Sequence, residues 1–148
     1  MKRSFDMSSA FRRLVLLPAL LFCWTASLGL AEDGAISIEL NKTEDTEQGC
    51  RPLFLFDNQS GHQLNKFQVE LVLFDDKGVY SRQILLDMAP LYKDKKVVAS
   101  FLVSELACDQ IGSMLVNSLP SCANSIGTDL DCLAMLEVGS KGAIPLEK

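Results

Sequence analysis

The sequence predicts an all-β fold: an immunoglobulin-like β-sandwich of about seven strands with two disulfides, preceded by a signal peptide. Three observations carry that expectation. Apolar residues recur with period two in short runs bounded by turn residues. Four cysteines remain once the leader is removed. Little of the chain has the 3.6-residue period of an amphipathic helix.

The leader comes first. Met1-Lys2-Arg3 and Arg12-Arg13 make a basic start, Leu14 to Trp24 is an uncharged apolar run, and Gly29-Leu30-Ala31 places small residues two apart. That order is a secretory signal with cleavage near Ala31. The run falls short of the roughly 20 apolar residues that a bilayer needs, so no stable membrane span is expected after cleavage. Phe11-Arg12-Arg13-Leu14 fits a twin-arginine signal and equally the basic region of a general secretory one. Cys23 follows the bulky Phe22, which argues against lipidation. The expected organisation is a signal peptide at 1–31, a sandwich domain at 32–141 and a loose tail at 142–148.

Residues 32–148 hold 10 Lys and Arg against 18 Asp and Glu, a net charge of −8. Nucleic-acid binding rests on neutralising phosphates with cations and is not expected; nor is attraction to anionic lipid. Cys50, Cys108, Cys122 and Cys132 form an even set in a small exported chain, the pattern of two disulfides. Three pairings are possible. The preferred one is Cys122–Cys132, whose nine intervening residues suit a closed hairpin loop. That leaves Cys50–Cys108, spaced as an intersheet bridge. Paired CxxC spacings are absent, which argues against zinc and against thioredoxin-like redox chemistry.

Along the chain, Ile36, Ile38 and Leu40 share one face of a first strand. Cys50 to Phe56 is apolar on both faces, as in a central strand, with Pro52 needing a place where no ladder donor is missed. Asp57 to Gly61 has turn chemistry. Phe67, Val69, Leu71 and Leu73 define the clearest strand. Asp75-Asp76-Lys77-Gly78 turns it into a return strand through Met88, with Gly78 in the left-handed position of a bulged hairpin. Lys96 to Val103 is a further strand. Ser104 is expected to cap one helical turn through Asp109. Ile111–Leu119 and Cys132–Val138 are expected to form a last hairpin around a long loop, Pro120 to Asp131. The only Trp, Trp24, is in the leader, so no tryptophan can pack on a core disulfide.

Glu44 to Arg51, Leu71-Val72-Leu73-Phe74-Asp75 and Ala107 to Gly112 resemble a family of small exported alphaproteobacterial proteins known as Tat pathway signal sequence domain proteins. The resemblance covers nearly all of residues 32–148 and implies an envelope setting without implying an activity. The segment around Leu73 to Gly78 also resembles FxLYD-type sandwich modules.

His62 is the single histidine and lies in a turn. No GxSxG elbow, phosphate loop, HExxH or calcium loop occurs. Catalytic residues, cofactors and metal ligands are therefore all expected to be none. The carboxylate groups Glu44/Asp45/Glu47 and Asp129/Asp131 need desolvation before acid–base work is feasible. Glu44, Asp45, Glu47 and Arg51 form the expected partner surface. The Leu53/Leu55 and Val72/Phe74 pairs, facing away from the main apolar stripe, mark a partner site if exposed. The expected role is a non-catalytic protein-binding or envelope-complex module, acting in the periplasm or secreted, with another envelope protein as partner. The alternative is a domain that binds or modifies small molecules or carbohydrates through its acidic loops.

Overall fold

A computed structural model describes residues 35–148; the leader, its cleavage near Ala31 and the arginine pair lie outside the described residues. Strands β1 (Ile36–Thr46), β2 (Gly49–Asn58), β3 (Leu64–Phe74), β4 (Tyr80–Asp87), β5 (Lys95–Ser100), β6 (Val103–Ser104), β7 (Ser113–Asn124), β8 (Leu136–Ser140) and β9 (Leu146–Glu147) are joined by one 3-10 turn, Cys108–Gln110. The first sheet runs β5-β2-β1-β8, with β6 also on β2; the second runs β4-β3-β7-β9. The expected sandwich is thus present. β6 and β9, of two residues each, are added to the seven expected strands.

Period-two burial builds the core between the sheets. Ile36, Ile38 and Leu40 of β1 face Phe67, Val69, Leu71 and Leu73 of β3, all at most 1 % exposed. The Phe56 ring of β2 meets Phe67 of β3 edge-on at 6.5 Å between centroids, a favoured aromatic geometry across the two layers. The β3–β4 turn forms as expected: Asp75 Oδ1 accepts from the N–H groups of Lys77 and Val79 at 2.9 and 2.8 Å, and Gly78 has φ 74°.

Pro52 explains why β5 and β6 are separate. Phe101 N donates to Pro52 O, but proline has no N–H to return the bond. The ladder lapses at Phe101 and Leu102, then resumes where β6 meets Gly49 and Cys50. Gly49, at φ 140°, has no room for a Cβ because Val103 O lies against it.

Both expected disulfides are formed; Cys122–Cys132 closes a local fold-back as expected, whereas Cys50–Cys108 does a different job from the one expected. Cys50–Cys108 is not a strand-to-strand bridge between the sheets. It ties the start of β2 to the 3-10 turn through which the chain crosses to β7, with Cα atoms 4.7 Å apart. Cys122–Cys132 ties β7 to the crossing back toward β8, with Cα atoms 6.2 Å apart. Between them β7 folds back locally, Asn124 N donating to Thr128 O and Leu130 N to Cys122 O.

Three local expectations are corrected. Ile111–Leu119 and Cys132–Val138 are not a hairpin: β8 joins the other sheet, parallel to β1 with Ile36 opposite Leu136, because Leu136 completes the core beside β1. Ser104 does not cap a helical turn; it is in β6, and the turn begins at Cys108. Residues 142–148 are not a loose tail. Ile144 and Leu146 are 8 % and 6 % exposed, and β9 runs parallel to β7. Burying those two side chains favours docking over fraying.

Asn58 is the most connected buried polar side chain. Its Nδ2 donates to His62 O at 2.8 Å and Leu91 O at 3.1 Å, while its Oδ1 accepts from Ser60 Oγ at 2.6 Å. Asn58→Ala removes these bonds together, leaving Leu91 O with only the Leu64 N–H and Ser60 without its acceptor, and is expected to cost about 2–4 kcal/mol in urea unfolding. Replacing Cys50 and Cys108 together by Ala is expected to cost about 4 kcal/mol, against about 3 for Cys122 and Cys132, since the first closes the longer loop. Equal losses would contradict the loop-length reading.

Candidate functional site

The β1–β2 hairpin carries the acidic segment singled out in the sequence. It turns at Thr46–Gly49, where Thr46 Oγ1 donates to Gly49 O at 2.7 Å. Residues 103–106 strap across its end: Glu105 N donates to Gln48 O and Cys50 N to Leu106 O. An open groove of about 610 Å³ lies here, lined by the hairpin turn, Leu102, Ser104 to Ala107 and Gln110.

The four expected surface residues separate. Glu44 and Arg51 are register partners on the outer face of the first sheet. Glu44 makes its ion pair with Lys42 at 2.6 Å rather than with Arg51. Asp45 points elsewhere, its Oδ1 accepting from Cys108 N at 2.9 Å; it fixes the disulfide-bearing turn. Glu47 alone of the four lines the groove. Asp131 Oδ1 accepts from Ala134 N at 3.2 Å. Neither Asp129 nor Asp131 lines the groove. Among the described residues no group of three or more His, Cys, Asp or Glu is arranged to hold a metal ion.

Both outer faces carry apolar side chains, and ion pairing distinguishes them. The half-buried Leu53 and Leu55 of the first sheet turn outward, with Val98, 66 % exposed, opposite Leu55. On the first sheet, Lys42–Glu44, Lys96–Asp57 and Lys141–Glu39 are paired at 2.6, 3.2 and 3.6 Å. Hydrogen bonding and charge from Lys42 hold the Glu44 carboxyl below the usual range, with a smaller contribution from Arg51 and burial opposing. Gln59 does the same for Asp57 by a donated hydrogen bond, burial opposing and Lys96 assisting.

The second sheet is different. Pleat alternation turns Val72 and Phe74 of β3 outward, and the register sets Leu115 of β7 opposite Val72 and Tyr80 of β4 opposite Phe74. Leu85 lies opposite Glu70. Tyr80 and Leu85 are 59 % and 58 % exposed. The carboxylates on this face meet neutral partners: Glu70 accepts from Asn117 and Asp87 from Gln68. The sequence flagged Val72 and Phe74 through the two-sided apolar pattern of β3. Tyr80, Leu85 and Leu115 join them only through strand register, which the sequence does not state.

Both lowered carboxyls favour the charged form in the folded chain. Their contribution is present above the ordinary carboxylate range and is lost as pH falls through the lowered folded values. Lys42→Ala is expected to move the Glu44 titration back toward the ordinary value and leave Asp57 unmoved, read by carbon-13 NMR of the side-chain carboxyls; an unmoved Glu44 would contradict the assignment. Both groups lie at the surface, Glu44 the more open of the two and Asp57 half-buried, so the effect on stability is expected to be small. No family model, curated relative or solved structure matches this chain.

Proposed function

We propose that this chain is a non-catalytic protein-binding module of the bacterial cell envelope, exported by the leader at 1–31 and docking through the outer face of its second sheet. Two disulfides support an oxidising compartment outside the cytoplasm; the periplasm or the secreted medium is the setting we favour, with membership of the small exported family that its motifs resemble. The observation that carries the docking reading is the apolar strip Val72, Phe74, Leu115, Tyr80 and Leu85. Tyr80 and Leu85 are its exposed members, Phe74 and Leu115 are half-buried, and Val72 is only 8 % exposed; exposed apolar surface is a recurrent mark of protein contact. The first sheet's outer face has three ion pairs among its apolar side chains, where the second sheet's outer carboxylates meet neutral amides.

A second reading, a small-ligand domain, is favoured by the groove of about 610 Å³ with Glu47 and Glu105 on its rim. A thermal shift with a sugar or metal that Glu47→Gln abolishes would support it.

The docking reading is tested with a photoreactive residue at Leu115, on the strip, and another at Glu137, on the outer face of the first sheet. In cells exporting the protein, Leu115 is expected to give a discrete heterologous crosslink and Glu137 none. Crosslinking only from Glu137, or from neither, would overturn it.

A further inference from the structure

We propose that β4 is a strand-addition site, which accepts an extended segment of a partner protein carrying alternate apolar and basic side chains. The proposal rests on the docking reading above and specifies its mode. β4 is an edge of the second sheet. Met88 N donates to Phe67 O at 2.9 Å, which sets the phase of the antiparallel ladder. Arg82, Ile84 and Leu86 share that phase and turn their backbone groups to β3, so Gln83, Leu85 and Asp87 turn theirs outward.

The other edges are less suited to pairing. β5 presents Lys96, Val98 and Ser100 outward by the same phase rule, with Lys96 tied to Asp57; edge lysines discourage pairing. β8 and β9 have five and two residues. β4 has eight, with no lysine or proline. Its one cation, Arg82, donates to Ser104 O at 2.6 Å and is directed away from the edge.

Charge identifies the occupant. The outer face of the second sheet carries Glu70, Asp87 and Glu147 against Lys66, so apolar surface there has an acidic rim. An added strand sends successive side chains to opposite faces, so one alternate set lies on the outer face beside Leu85 and Asp87 and the other on the face of Ile84 and Leu86. Lysine or arginine suits the first set, its charge toward Asp87 and Glu70 and its alkyl stem along Leu85, and apolar residues suit the second. A second copy of this chain would bring one acidic rim to another, which disfavours self-pairing.

The test uses the exported chain and two capped peptides, one alternating lysine with valine and one alternating glutamate with valine, followed by fluorescence anisotropy. The basic peptide is expected to bind at least about tenfold more tightly and to weaken as salt rises. Gln83→Pro removes only an outward N–H and is expected to reduce binding at least about tenfold. Leu85→Lys, at an exposed position that leaves the backbone intact, is expected to do the same. Equal binding of the two peptides, or unchanged binding in both variants, would overturn the proposal, as would a concentration-dependent dimer lost in Gln83→Pro. The Leu115 crosslink separates the two readings. If it forms and persists undiminished in both variants, the face docks a partner without strand addition; if it never forms, the docking reading itself has failed.

Discussion

A pleated strand sends successive side chains to opposite faces, and β3 is apolar on both. Phe67, Val69, Leu71 and Leu73 take the inner face and are almost wholly buried. Val72 and Phe74 are then forced outward, because a one-residue slip would expose the four to bury the two. At about 25 cal/mol per Å², the larger inner set decides the register. The sandwich has no third layer over the outer set, although side chains of this chain already cover Val72 to 8 % exposure and half-bury Phe74. The acidic, apolar outer face is a consequence of how the core is made.

The rest of the architecture serves to close that core. Gly49 allows the strap after β5 to lie against the hairpin. Asp45 and Cys50 hold the turn at Cys108 from two sides. At the opposite margin β8 and β9 are joined by a crossing in which Ser140 Oγ donates to Ile144 O at 2.6 Å. That leaves β4 and β5 as the edges on the other side. Lys96 guards β5, whereas β4 combines a free backbone edge with exposed Tyr80 and Leu85.

Much of this was legible in the sequence where the signal is local. Period-two patterns located the seven longer strands but not their ends: β1 runs on to Thr46, β7 continues through Pro120 to Asn124 where a loop was expected, and β8 starts at Leu136 rather than Cys132. Asp75 to Gly78 announced its turn. The even cysteine count pointed to two disulfides, and loop length favoured the pairing found. What escaped was non-local. Leu136 reads equally well as a hairpin partner of β7 or a neighbour of β1, and only core completion chooses. Ile144 and Leu146 make too short a pattern to reveal a strand, although they fill the end of the core. Ser104 is a good cap in isolation, but Gly49 and Cys50 offered it a ladder. The acidic segment read as one surface because neighbours in sequence were taken together; alternation sends Asp45 away from Glu44 and Arg51. The apolar strip on the second sheet needs residues from three strands, so only Val72 and Phe74 could be seen in advance.

The central claim is that β4 presents an open edge whose outward phase falls on Gln83 and Leu85. Amide hydrogen exchange of the isolated chain, resolved by residue, measures that phase directly. The account predicts slow exchange at Ile84 and Leu86, alternating with fast exchange at Gln83 and Leu85. Slow exchange at Gln83 and Leu85, or protection without alternation along β4, would contradict it.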